Sequence, residues 1–375
     1  MDVAIFGAGI AGLMTGMTLH AQGHRCRIFE RSRLAHDAGM GFILAPEGIA
    51  CMERFGVQLA GAFGGTLLEH YYCRDATGRV VLEQTMPSGV RGIRRRDLTA
   101  ALVRALPSEK SLIFGAELDS LEFDEDFQVT SARLKSSAGG ERIQADLYVD
   151  AAGINSRSRR ALFPAWPATP DRVPEIVGLV RCVKTARWAG PNFNKFHAPG
   201  GGIALGILPV DGEHVIWYLQ FDAARFAPSL ETLSGNGAAG AEARRALVES
   251  LAGGWADPIP SLVAMTDFSR VHLWRPIETE LVPCFHRGNL VLVGDAAHPL
   301  SPFTSRGVSS AIADAEAMGR AVHKDVSPGA DLVQALAHYS NERRAQRVPY
   351  IAKGRELKQH FLEPLSVGKC LLPIA

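Results

Sequence analysis

Near the N-terminus, Gly7, Gly9 and Gly12 are followed by Glu30 eighteen positions after the last glycine. These residue types at this spacing can hold a dinucleotide. The chemistry is recognition rather than bond breaking. Gly7 permits a tight turn out of a strand, Gly9 lets a pyrophosphate approach the backbone, and Gly12 lets a helix pack closely on that strand. The free N–H groups and positive dipole end of the helix attract phosphate. The Glu30 carboxylate can accept hydrogen bonds from a ribose diol and would repel a 2′-phosphate. This unit alone accommodates either FAD or NAD.

Three further clusters carry polar chemistry next to glycine. Gly294-Asp295-Ala296-Ala297-His298-Pro299 follows an apolar run and leads through Pro302 to Gly307, placing an acid where doubly wound sheets bind ligands. Gly153-Ile154-Asn155-Ser156, with Arg157 and Arg159 behind it, closes another apolar run. Arg94-Arg95-Arg96 precedes Asp97 at a helix start, where the dipole favours anions. A bound phosphate or a solvated basic surface would each account for these arginines. For orienting or deprotonating a small molecule the candidates are Arg181, His197, Tyr218 and Gln220, with His70 and Tyr72 as alternatives. Each is also compatible with an ordinary sheet position. Asp314 and Glu316, two positions apart on one helix, cannot share a face.

The elements that must position these residues follow from periodicity. Asp2–Phe6, a helix over residues 13–21 and a strand over 26–29 make a βαβ unit. A strand over 41–44 and a helix over 46–55 come next. Strands over 67–72 and 80–84 form a hairpin around Asp75-Ala76-Thr77-Gly78. Asp97 is expected to cap a helix reaching about Leu106. A strand over 111–114 precedes a three-stranded meander (118–123, 127–135, 141–143), with turns at 124–126 and 138–140, and then a strand over 146–151. Residues 175–183, 203–209 and 214–220 read as a separate antiparallel sheet, with a glycine-rich loop from Gly190 to Gly202 between the first two. A helix over 242–251 follows. A strand over 290–293, a helix from about Val308, and helices over 331–348 (stopping before Pro349) and 356–361 complete the chain.

Composition sets limits on function. With 375 residues, the chain exceeds what one core usually supports, so two interleaved domains are expected. A net charge of +1 argues against a general nucleic-acid surface. The cysteines Cys26, Cys51, Cys73, Cys182, Cys284 and Cys370 show no CxxC pair, which points to reduced thiols and no metal site. No apolar run approaches the roughly 18 residues of a membrane span. A cytoplasmic protein without a signal peptide, monomeric or homodimeric, is expected.

In combination and in order, these stretches resemble the single-component flavoprotein monooxygenases, the para-hydroxybenzoate hydroxylase group, over nearly the whole chain. The late Gly294–Pro299 segment is the most specific. The resemblance implies an α/β fold: an FAD-binding Rossmann-like domain of the glutathione-reductase type, an interleaved antiparallel-sheet substrate domain, and C-terminal helices. It implies that residues 1–69, 96–172 and 270–375 bind FAD and that 70–95 and 173–269 form the substrate domain. It places Gly7, Gly9, Ile10, Ala11, Gly12, Glu30, Arg31, Gly41, Arg95, Gly153, Gly294, Asp295, Ala296, Pro302, Gly307 and Val308 around FAD. Glu30 would lie on the adenosine ribose, Arg95 near the pyrophosphate, Asp295 on the ribityl hydroxyls, and the helix start at Gly307 at the flavin N1/C2=O edge.

The resemblance also implies a reaction. NAD(P)H reduces the flavin, molecular oxygen gives a C4a-hydroperoxide, and an aromatic or polycyclic small molecule is hydroxylated. Neither a side-chain nucleophile nor a metal is required. Three departures stand out: Ala152 where family members carry Asp, Ser305-Arg306 where Gly-Gln is common, and Ser309 where Asn is common. They leave open a reductase, oxidase or halogenase of the same fold, or a non-catalytic FAD-binding module. A Trp-x-Trp-x-Ile-Pro run, the mark of tryptophan-type halogenases, is lacking; Trp274-Arg275-Pro276-Ile277 is not that motif.

Overall fold

The computed structural model describes residues 1–33, 40–59, 64–136, 139–166, 169–226 and 229–366. Ala38, Gly39, Ala138 and Cys370 lie outside them. The N-terminal βαβ unit starts a six-stranded sheet ordered His286–Arg287, Leu290–Leu292, Leu147–Asp150, Asp2–Phe6, Arg25–Glu30, Leu112–Phe114. Its neighbours run parallel except at the His286–Arg287 edge. The central strands are buried on both faces, which is why they read as unbroken apolar runs. The helices Ile10–Ala21 and Gly307–Ala321 pack against each other, with Thr18 Oγ1 donating to the Ala315 carbonyl at 2.8 Å. Met14, Met17, Ile312 and Met318 fill the core between these helices and the sheet.

The second large element is a seven-stranded sheet ordered His272–Trp274, Glu175–Arg181, His214–Phe221, Ile203–Pro209, Asn192–His197, His70–Asp75, Val80–Thr85. One face packs Trp217, Leu219 and Phe221 against the helices Ala238–Ala252 and Ile259–Met265. The other presents Tyr71, Phe193 and Ile216 toward Ile43, from the strand Gly41–Leu44. The expected meander is present as Ala116–Phe123, Val129–Ser136 and Gly139–Ile143.

Several expectations are corrected. Residues 67–72 are not one strand: Thr66–Leu67 pairs with Arg91–Arg94 in a small sheet, and the hairpin strand begins at His70. The supposed loop from Gly190 to Gly202 contains the strand Asn192–His197, which pairs in parallel with His70–Asp75, so the large sheet is mixed. Its buried residues on both faces and its flanking glycines hide the alternation that marks a half-buried strand. The strand from Glu175 ends at Arg181, because Val183 opens the short helix Val183–Ala189.

Asp97 is not a cap. The helix runs Arg95–Ala105 with Arg94 at its N-cap, and Asp97 sits in the first turn, paired with Arg94 Nε at 2.6 Å. The two closing helices are one, Ala330–Leu362, with Pro349 inside it. Proline in a helix interior costs about 3 kcal/mol or more. Here Pro349 is exposed, so water can reach the freed carbonyl, while Tyr339, Arg343 and Arg347 before it and Gly354, Leu357 and Phe361 after it are buried. Packing on both sides outweighs the missing bond.

Candidate functional site

Three strand ends lie level at one edge of the parallel sheet. Phe6 is opposite Asp150, and Asp150 opposite Leu292. Each strand runs into a glycine turn with positive φ: Gly7 at 108°, Gly153 at 70° and Gly294 at 60°. A side chain at Gly7 would strike the Ala151 carbonyl, one at Gly12 would sit 1.9 Å from the Gly7 carbonyl oxygen, and one at Gly294 would meet the Ala11 methyl. These glycines bring the turns together. Gly9, Gly153 and Gly307 are different, since a Cβ added there would meet nothing within 4 Å. Backbone is therefore open to a ligand at two helix starts and one turn, the arrangement a dinucleotide phosphate requires.

Glu30 ends the neighbouring strand and is buried. Its carboxylate accepts from the Ala8 and Ser32 N–H groups, both at 2.9 Å. Arg31 beside it is exposed. Glu30 and the Gly294-Asp295 turn stand three strand spacings apart, about 14 Å. Both are thus within reach of one extended dinucleotide. Asp295 keeps accessible surface, yet the surrounding protein raises its carboxyl pKa, with His298 and Arg95 opposing that rise. Ile10 and Ala11 open the N-terminal helix, and Ala296 is buried in the turn after Gly294. Gly41, next to Arg94 in the small sheet, is where a side chain would strike the Ile93 carbonyl and Ile216. Pro302 lies in the loop before Gly307 and Val308.

This loop is held from below. His298 Nε2 lies 2.7 Å from Asp314 Oδ2, which also accepts from the Gly294 N–H at 2.7 Å. Arg343 Nε of the closing helix donates to Asp314 Oδ1 at 2.6 Å. Burial would raise the Asp314 carboxyl, but His298, Arg343 and Arg347 outweigh it and hold the group far below the carboxylate range. His298 is thus a buried structural histidine, and Asp314 and Glu316 do face apart, Glu316 meeting Arg54 outside. Ser305 adopts a left-handed conformation (φ 52°) just before Arg306, whose guanidinium pairs with Glu47. Ala152, at the departure in the middle motif, is exposed; two residues earlier the buried Asp150 carboxylate accepts from the Ala152 N–H and the Ser156 hydroxyl.

Opposite this loop, the inner face of the large sheet carries two cross-strand rows. Lys195, Gly206 and Tyr218 form one; His197, Ala204, Gln220 and Glu175 form the other. A side chain at Gly206 would strike the Tyr218 ring, so the glycine lets that ring lie across its strand toward Lys195. The Lys195 ammonium lies 5.9 Å from the Tyr218 ring centre and 5.4 Å from that of Phe303, which belongs to the loop after Pro302. Gln220 Nε2 donates to Glu175 Oε1 at 2.6 Å. Burial raises the Glu175 carboxyl to about 7 despite Gln220 and Lys195. Burial likewise pushes the Tyr218 phenol well up, and burial plus Lys195 pushes His197 well down, so that imidazole is neutral.

Of the sequence candidates, His197, Tyr218 and Gln220 come together. Arg181 does not: it shares the face of Glu175 but lies six residues along, about 20 Å away, exposed and paired with Glu213. His70 and Tyr72 point to the other side of their strand and contact Glu83. Lys195 and Glu175 were missed. Lys195 sits in the segment read as a loop, and Glu175 looked like the first residue of a strand.

Residues 1–349 match the family model described as "FAD binding domain". The chain is 25% identical to the FAD-dependent monooxygenase OpS4 of Beauveria bassiana (strain ARSEF 2860), over 96% of this chain and 85% of that protein. It is 24% identical to the 6-hydroxynicotinate 3-monooxygenase of Pseudomonas fluorescens, over 93% and 90%. Among solved structures, Klebsiella pneumoniae HpxO complexed with FAD and uric acid superposes with a TM-score of 0.77 at 21% identity, over 95% of this chain and 88% of that one. The chain belongs to the FAD-binding-domain family and, within it, to the flavoprotein monooxygenases, enzymes of the oxidoreductase class. Its fold is of the para-hydroxybenzoate hydroxylase type, and its cofactor is FAD.

Proposed function

We propose that this protein hydroxylates an aromatic small molecule, taking one oxygen atom from molecular oxygen and electrons from NAD(P)H. FAD, when bound, supplies the oxygen-activating chemistry. The observation that carries the reading is the convergence of the open backbone at Gly9, Gly153 and Gly307 on one edge, opposite a buried polar sheet face. Glu30 would receive the adenosine ribose, and the helix start at Gly9 the pyrophosphate, with Arg95 beside it. Asp295 would receive the ribityl chain, and the N–H groups at Gly307 and Val308 would stabilise negative charge on the flavin ring.

The chain's own task is then to orient the substrate and exclude water. Tyr218, Gln220, His197, Lys195 and Glu175 would bind the ring's polar groups, and Phe303 and Phe361, 5.3 Å apart, would close the apolar side. In functional terms, residues 1–69, 96–172 and 270–375 hold the nucleotide and 70–95 and 173–269 the substrate, with the edge strand His272–Trp274 joining the substrate side. Among the described residues no helix is long and apolar enough to cross a membrane, which is compatible with a cytoplasmic location.

The test is an absorbance spectrum of the purified protein, followed by NAD(P)H consumption and isotope-labelled oxygen incorporation across phenolic and heteroaromatic substrates. Label in the product supports the proposal. Yellow protein that oxidises NAD(P)H without ever labelling product would replace the hydroxylase with an oxidase or reductase.

A further inference from the structure

Arg347, on the closing helix Ala330–Leu362, is only 4% exposed. Its guanidinium donates to the Ser310 hydroxyl and lies 4.9 Å from the Tyr350 ring centre. Its Nε is buried with no hydrogen-bond partner among the described residues. No carboxylate pairs with it among those residues. Burial and the neighbouring Arg343 pull its pKa down to about 10, against the pull of Asp314, so the group stays cationic at neutral pH.

The charges around it are otherwise matched. The helix Gly307–Ala321 carries Asp314, Glu316 and Arg320, with Arg306 at its N-cap. Arg306 meets Glu47, Glu316 meets Arg54, and Arg320 meets Glu342 at 2.7 Å. Asp314 is taken by Arg343, whose guanidinium also donates to the Ser310 carbonyl at 3.1 Å. One buried positive charge is left over, and it is held on Ser310, in the first turn of the helix. Ser310 follows Gly307 by three residues, so the Arg347 guanidinium lies within about 10 Å of the Gly307 backbone. The helix already presents the positive end of its dipole there.

We propose, building on the placement of FAD given above, that Arg347 tunes the flavin: its unmatched charge, held against the first turn of the Gly307 helix, stabilises the reduced flavin as an anion and raises its reduction midpoint. Charge near the flavin ring is a means by which proteins set its electronics. One charge at about 10 Å in a medium of effective dielectric about 20 displaces an equilibrium by roughly tenfold. The proposal uses the position of the cofactor and not the hydroxylation itself.

The experiment reduces the FAD-loaded protein anaerobically beside a reference dye and reads the midpoint from the visible spectrum. Arg347→Met is expected to lower the ratio of reduced to oxidised flavin at a fixed potential by roughly tenfold, a midpoint about 30 mV lower. The shift should persist in about 0.5 M salt, because a buried charge is screened little. Arg344→Met removes a charge from the same helix, where the guanidinium donates to the Val282 carbonyl, and should move the ratio by less than about twofold. Arg347→Lys should hold the parent midpoint at pH 6 and fall away from it by pH 9, since a buried lysine without a carboxylate loses its proton as pH rises while the arginine keeps its own. An unmoved midpoint in Arg347→Met, an equal shift in Arg344→Met, or a shift abolished by salt would each overturn the proposal. Should Arg347→Met lose FAD, the lysine variant decides alone, and a gap to the parent that is the same at pH 6 and pH 9 overturns it. A parent protein that cannot be loaded with FAD sinks the function proposed above, whereas a loaded protein whose midpoint ignores Arg347 sinks only this proposal.

Discussion

Gly9 and Gly12 belong to one motif but answer to different forces. Gly9 has φ −72° and ψ 179°, extended backbone any residue adopts, and a methyl there would meet nothing within 4 Å. Gly12 is the reverse, since its added methyl would overlap the Gly7 carbonyl oxygen at 1.9 Å. Gly9→Ala should therefore leave the apoprotein within about 1 kcal/mol of the parent while weakening FAD by roughly tenfold or more, because its methyl occupies the approach of the pyrophosphate. Gly12→Ala should cost the fold itself about 3 kcal/mol or more. Thermal melts of apoprotein with parallel FAD titrations decide. If Gly9→Ala binds FAD as the parent does, the open face of this turn is not where the phosphates lie.

At the scale of elements, the loop Gly294–Gly307 depends on the closing helix Ala330–Leu362. Asp314 joins the Gly294 N–H, the His298 ring and Arg343 of the closing helix through one buried carboxylate. Breaking a buried charge pair from one side strands the other partner and costs about 3–5 kcal/mol. Asp314→Asn should lower stability by that order and release FAD, whereas Glu316→Gln, facing solvent on the same helix, should do neither; urea unfolding and flavin retention on gel filtration measure both. The motif was legible because strand, glycine turn and acid are adjacent in sequence. The Asp314–Arg343 strap was not, because nothing local marks a pair twenty-nine residues apart. For the same reason the strand Asn192–His197 was hidden: its identity rests on pairing with His70–Asp75, far earlier in the chain. Pro349 misled in the other direction, since local stereochemistry ends a helix that tertiary packing continues. His197, Tyr218 and Gln220 could be named from polarity in strands, but their convergence with Lys195 and Glu175 exists only after four strands are in register.

For the whole molecule, the buried row has a consequence for stability. Glu175 ionises near 4.5 when solvated and at about 7 in the fold. Burial is the main cause. Three neighbours also act on it: the Gln220 hydrogen bond from the adjacent strand and the Lys195 charge two strands further lower it, while the Asp171 charge on the preceding segment raises it. Because the folded value lies above the unfolded one, the native state holds the extra proton between these limits, so stability falls as pH rises from about 4.5 through 7. The shift corresponds to roughly 3 kcal/mol lost by pH 8 relative to a permanently neutral group. Glu175→Gln keeps an acceptor for the Gln220 amide and cannot ionise. The variant should match the parent at pH 5 and exceed it at pH 8 by an amount approaching that figure. Denaturant unfolding of FAD-loaded parent and variant at both pH values tests it. A gain equal at the two pH values would mean the side chain acts through packing rather than charge, and a loss at pH 8 would mean the ionised carboxylate is stabilised by Lys195 more than burial penalises it.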